Sequence, residues 1–299
     1  MRPNTSILLE NKAFLLFFLL KIIQQFKKFT NIDKLTELHN LKKVSSIDIN
    51  KYKSSDTLFI LGSGASIKEL GEKQWELIQK HDSIGINFWL IHKFIPTYYM
   101  FELGKDLDRL NTFLKLINLK SDDYKNVPLI FKDIDNDLFD ISKFPEQVKN
   151  NLYVPYKLAI PGFSQKSFTK SLKIINFLKL QNKQNLLLAK RASITEAISF
   201  GLKLKYKNII LCGVDLNTVE YFYEDKIYEE QNLPIPKKVQ TGLIHKTANP
   251  NDPNYGDITI NIILSMVNNY LLTPNEVNLF VGSKTSALYP MFPWYFENK

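Results

Sequence analysis

The chain lacks most of the residues that make a function easy to read. A single cysteine, Cys212, stands in 299 residues, so no intrachain disulfide framework can form and multi-cysteine zinc is excluded. Cys212 falls inside "NIILCGVDL", where an inert core thiol is expected, and a reducing compartment agrees with that. Arginine-rich and zinc-finger patterns are also missing. The 39 basic residues are nearly all lysine, scattered and mixed with acids, which argues against a nucleic-acid partner. There is no Pro/Gly/Ser linker, no internal repeat and no low-complexity tract. No GxSxG elbow, no H-E-x-x-H and no GK[ST] occurs.

Long apolar runs are absent too. "AFLLFFLL", from Ala13, gives only eight apolar residues before Lys21, and a membrane span needs roughly 20. Glu10 precedes the run and no small-residue cleavage site follows it, which speaks against a secretory signal. Two readings of this segment stand side by side. One is a helix lying on a membrane, with Phe and Leu inward and Lys21, Lys27 and Lys28 toward anionic headgroups. The other is a helix buried against the domain or a second subunit.

What the chain does have is a globular composition, with 44% hydrophobic and 23% charged residues, 21 Phe and 14 Tyr. Its formal charge of +9 suits an anionic partner such as a nucleotide, an acidic glycan or an anionic membrane face. Residues 1–50 read as a helical extension and 51–299 as the main domain. Strands are expected at "TLFILG", "SIGINFW", "TYYMFEL", "VPLIFKD", "NNLYVPY", "KNIILCGVDL" and "VNLFVGS". Helices are expected at "SIKELGEKQWELIQKH", "SITEAISFGLKL" and "DITINIILSMVNNYL". Residues 159–184 and 217–253 are expected to form a lid or small helical subdomain. Apolar strands without strict alternation, interleaved with helices, imply an α/β fold: a Rossmann-like, mostly parallel sheet with helices on both faces.

Ligands of such sheets sit beyond the carboxyl ends of the strands. Four clusters fall there: "GSGAS" at 62–66, "GINFW" at 85–89, "CGVDLN" at 212–217 and "VGSKTS" at 281–286. In the first, Gly62 and Gly64 permit close backbone approach, Ser63 and Ser66 add hydroxyls, and the next helix offers N–H groups to an anion. Ile67 stands where a third glycine would complete GxGxxG, so a plain tight turn remains the competing reading. Asn87 and Asp215 end strands, where each either contacts a ligand or caps backbone. Of four histidines, His39 and His81 read as structural, while His92 lies near Asn87. His245, in a polar loop before a helix, would take a proton near neutral pH, with Lys246 beside it for an anion. "DID" at Asp133 to Asp135 is the one match to a metal-binding DxD triplet.

Taken in order, "ILGSGASIKEL", "IGINFW", "KRASITEAISFGLKLKYKNIILCGVDLN", "YFYEDKIY" and "GLIHKTANP" resemble the bacterial sialyltransferases of Campylobacter type, glycosyltransferase family 42, and related transferases of nonulosonic acids and Kdo. The resemblance spans roughly 57–285. It implies a GT-A-like Rossmann variant with a lid, a CMP-activated sugar donor, no metal cofactor, and a glycan or glycolipid acceptor of capsule or lipooligosaccharide. It further implies that Gly62, Ser63, Gly64 and Asn87 contact the cytidine nucleotide and that Ser193 and Thr195 lie near the donor. Arg191 would serve the acceptor side or the donor carboxylate, and Asp215 the nucleotide end of its strand. Tyr223 and Tyr228 would hold the leaving phosphate, with Tyr221 as a substitute, and His245 would be the general base. Ser63 stands where the family has asparagine, and Ala65 where it has proline.

The location implied is the cytoplasm, peripheral on the inner membrane face through the N-terminal helix, with homo-oligomerisation as a further use of that helix. The rivals are a Kdo, legionaminic or pseudaminic acid transferase, a pterin pyrophosphokinase-like enzyme, and a non-enzymatic membrane-attached polyanion binder.

Overall fold

The structure is a computed structural model that describes residues 13–102, 104, 106–238, 245–250 and 258–297. Helix α1 (Phe14–Leu38) leads into a two-residue edge strand β1 (Lys42–Lys43). The α/β core follows: β2 (Thr57–Leu61), α2 (Glu72–Gln79), β3 (Asp82–Ile86), β4 (Tyr98–Glu102), α3 (Leu107–Leu119), β5 (Leu129–Lys132) and β6 (Leu152–Val154). Next come β7 (Tyr156–Ala159), α4 (Gln165–Phe177), β8 (Leu186–Ala189), α5 (Ser193–Lys203), β9 (Asn208–Cys212), α6 (Ile260–Val267) and β10 (Asn278–Val281).

Among the described residues, eight strands form one sheet in the order β1-β6-β5-β4-β3-β2-β9-β10, and every pairing in it is parallel. The chain winds outward from β2 through β3, β4, β5 and β6, then returns to β2's other side with β9. The topological switch point therefore lies between β2 and β9. Strands β2, β3 and β5 are buried along their whole length, as continuous apolar runs in a doubly covered parallel sheet must be.

Three departures from the sequence pattern have local causes. The segment expected as one helix after β2 breaks at Gly71 into a short 3-10 turn, Ala65–Glu69, and α2. "NNLYVPY" becomes two strands, because Pro155 has no N–H to continue the ladder. Strand β6 stays in the large sheet, while β7 pairs with β8 in a separate two-stranded sheet. The strand β8, "LLLA", has no counterpart in the sequence reading. The 159–184 region contains α4, whose Phe168, Leu172 and Ile175 are fully buried in the common core.

Helix α1 is docked, not detached. Phe18, Ile22, Phe29 and Ile32 are buried, Phe29 stacks on Tyr156 at 4.7 Å, and Gln25 exchanges two hydrogen bonds with the Ala159 backbone at the end of β7. Among the described residues no helix is long and apolar enough to cross a membrane.

Candidate active site

At the switch point the loops after β2 and β9 are zipped together. Gly62 N–H donates to Cys212 O and Gly64 N–H to Gly213 O, both at 2.8 Å. A side chain on Gly62 would meet Gly213 O at 2.4 Å, and one on Gly64 would meet the Asp215 carboxylate at 2.5 Å. Gly213 itself has φ +64°, a conformation costly for other residues. These glycines thus serve loop-to-loop approach. Asp215 accepts from Ser66 N–H at 2.9 Å and from the Ser66 hydroxyl, so it ties the two loops. Burial raises its carboxyl above the usual range, although the Ser66 bonds oppose that. Cys212 is fully buried and its thiol pushed up by that burial, which makes it unreactive.

A third segment covers this zipper. Phe222 N–H donates to Ser63 O at 3.0 Å, and Gly64 pairs with Tyr221 in an antiparallel bridge. Tyr221 and Tyr223 stack with centroids 5.1 Å apart and planes at 13°. The pair of tyrosines on one face is therefore Tyr221 and Tyr223. Tyr228, expected as Tyr223's companion, instead packs edge-on against Phe222 at 5.3 Å, on the side of His92. Burial holds the Tyr223 phenol well above its ordinary pKa, so it is a donor at all working pH values. The Ser63 hydroxyl is buried with no hydrogen-bond partner among the described residues.

Asn87 adopts φ 55° at the end of β3. Its carbonyl accepts from Tyr99 OH, and its side-chain Oδ1 accepts from Arg109 at 3.1 Å. The Arg109 guanidinium lies over Phe88, 4.7 Å from the ring centre, and Phe88 meets the Tyr223 ring edge-on. Nothing in the sequence pattern singles out Arg109, which stands within the first turn of α3. His92 sits between Trp75 and Trp89, 5.0 and 4.5 Å away, with Nδ1 accepting from Phe94 N–H. Burial, with Lys120 and Lys93 nearby, lowers its pKa to about 4; it is a neutral packing residue.

His245 is half-buried, and its backbone N–H donates to Leu216 O, in the loop after β9, at 3.3 Å. Its Nδ1 lies 2.8 Å from Thr247 Oγ1. Arg191, expected on a carboxylate, is 8% exposed and its fork grips the chain after His245. Nε donates to Thr247 O at 2.6 Å, Nη1 to Ile258 O at 2.9 Å and Nη2 to Asn249 O. The structure thus gives Arg191 a holding task on that loop. The hydroxyl of Thr195, expected near the donor, donates to Lys190 O or Ala192 O and accepts from Lys190 N–H, closing the turn into α5. The hydroxyls of Ser283 and Thr285, in the fourth cluster, bond to Glu69. Residues 239–244 and 251–257 and the Lys246 side chain, part of the expected 217–253 insertion, lie outside the described residues.

A second group of charged side chains gathers at the ends of β4 and β5, against β7. Lys132, with no exposed side-chain surface, donates to Ser193 Oγ at 2.9 Å and pairs with Glu196 at 3.1 Å and Glu102 at 3.3 Å. Lys157 pairs with Glu102 at 3.3 Å and Asp133 at 3.4 Å. Ser193, expected near a donor, belongs to this network and also bonds Glu102 at 2.8 Å. Burial alone would raise the Glu102 carboxyl, but Lys132 and Lys157 outweigh it and hold the group well below the usual range. Burial raises both Glu196 and Asp133, and Glu196 Oε2 has no hydrogen-bond partner among the described residues. The group floors a cavity of about 580 Å³ whose far wall is α1, through Lys21, Gln24 and Lys28. The readable signal was a charge ending an apolar strand, as in "MFE" and "IFK". Asp133 of the DxD triplet is engaged with Lys157, and among the described residues no group of three or more His, Cys, Asp or Glu is arranged to hold a metal ion.

No protein-family model matches the chain, and no curated protein matches it. Among solved structures it is similar to the sialyltransferase CstII from Campylobacter jejuni, determined in complex with a substrate analogue, CMP-3FNeuAc. The identity is 13% and the TM-score 0.45, over 80% of this chain and 85% of that one.

Proposed function

We propose that this protein is an inverting, metal-independent glycosyltransferase that moves a sialic-acid-like sugar from a CMP-activated donor to a glycan acceptor. Supporting this reading is one placement: the loops after β2 and β9, joined through Gly62, Gly64 and Asp215, meet the Tyr221–Tyr223 segment and the backbone of His245 at the switch point, where open α/β sheets bind ligands. The sequence motifs that resemble nonulosonate transferases are the same segments.

In this reading the acceptor hydroxyl attacks the anomeric carbon while the CMP phosphate leaves from the opposite face. His245 takes the hydroxyl proton through Nε2 in the tautomer whose Nδ1–H points to Thr247 Oγ1, in place of the one whose Nδ1 accepts from Thr247 N–H. Arg191, by gripping Thr247 O, sets that loop and is a positioning residue. Tyr223, kept protonated by burial, and its stacked neighbour Tyr221 donate to the departing phosphate. The buried Ser63 hydroxyl is the group on the glycine turn suited to the nucleotide.

The test is CMP release from a panel of CMP-sugars: sialic, legionaminic and pseudaminic acids and Kdo, with and without EDTA. Release from one donor, unchanged by chelation, is expected and names the sugar. Release from none sinks the reading, and release abolished by EDTA sinks its metal-independent form.

A further inference from the structure

Helix α1 has three faces. At about 100° per residue, the buried Phe18, Ile22, Phe29 and Ile32 share one side. Lys21, Gln24 and Lys28 share a second, which walls the cavity. The third side carries Leu15, Leu16, Leu19, Leu20, Ile23 and Phe26, whose exposures run from 47% to 60%, in an arc of roughly 140° at that spacing. Such a concentration of large exposed side chains on one helix marks an interaction surface. Lys27 and Lys34, both exposed, fall within or beside this arc, and the whole chain carries +9. Apolar residues bordered by lysines fit an anionic lipid surface, into which the rings and branched chains enter while ammonium groups meet phosphate.

We propose that α1 seats the protein on an anionic bilayer by this outer arc, lying in the plane of the surface. Gln24 follows Leu20 around the helix, so the cavity rim then sits at headgroup level and the cavity faces the polar head of a membrane lipid. Resting on the transferase reading, that head is the acceptor, a lipid-linked glycan.

The test uses the full chain and vesicles of phosphatidylglycerol in phosphatidylcholine, with pure phosphatidylcholine alongside. Wild type is expected to co-sediment with the anionic vesicles, and Leu16→Glu/Leu20→Glu/Ile23→Glu to lose roughly tenfold or more of that binding at an unchanged unfolding midpoint. Because the native Cys212 is buried, Leu20→Cys and Gln24→Cys can be labelled selectively. Lipid-borne quenchers should reach the Leu20 label at acyl depth and the Gln24 label at headgroup depth. Equal binding by the triple variant, or labels untouched by lipid quenchers, overturns the proposal. So does a wild-type dimer that becomes monomeric in the triple variant without vesicle binding, which assigns the face to a second copy. The vesicle result stands apart from catalysis: failure of every CMP-sugar would remove the transferase reading and leave the surface decided.

Discussion

The two ends-of-strand regions use opposite physics. At β2 and β9 the loops meet backbone to backbone, with glycines admitting the approach and aromatic rings covering it. At the ends of β4 and β5, facing β7 and α5, two lysines stand against three carboxylates around one serine. The first region is tied mainly by backbone hydrogen bonds and the Asp215–Ser66 pair. The second is held by charges that would be costly if any one were lost.

The comparison can be broken most strongly at His245. On the transferase reading, His245→Ala should lower transfer by about 10²–10⁴-fold while CMP still binds, checked by turnover and by calorimetric titration. If turnover persists near wild type, the crevice is not where the chemistry occurs. Next comes Lys132→Met, which takes one of two lysines from Glu102 and the nearer of two from the buried Glu196. It should cost about 3–5 kcal/mol in urea unfolding, and a change below 1 kcal/mol would mean that the ion network is not structural.

The third contrast is in acid. Folding lowers the His92 pKa from 6.5 to about 4, so the unfolded chain binds the extra proton. His92's contribution is therefore present above pH 6.5 and is lost as pH falls through the window down to about 4. It amounts to about 3 kcal/mol, and His92→Leu should remove that slope from a series of urea midpoints. Smallest is Gly62→Ala, whose methyl must displace Gly213 O. It should cost about 1–3 kcal/mol in thermal unfolding, with no cost expected if the zipper is loose.

Legibility followed the kind of interaction involved. Apolar strands ending in small residues were readable because a buried parallel strand leaves a continuous signature, and β2, β3, β4, β5, β9 and β10 lie where that signature is. β8 went unread because its four residues run directly from a polar, lysine-rich stretch. For the candidate site, sequence placed Ser63, Asn87, Asp215 and His245 at strand ends or in loops, where the structure has them. It could not foresee that Arg191 would hold the carbonyls of Thr247, Asn249 and Ile258, because those bonds depend on where distant backbone passes. The Lys132–Glu196 pair joins positions 64 apart in sequence, and only the sheet brings them together.

Pro155 has a consequence beyond splitting two strands. By sending β6 into one ladder and β7 into another, it makes a fork in the backbone, and Pro155 itself lines the hollow that the fork encloses. The hollow is thus written into the chain's path and is not a gap left by ill-fitting side chains. Enlarging its lining residues would crowd the space, but the two ladders would still diverge around it.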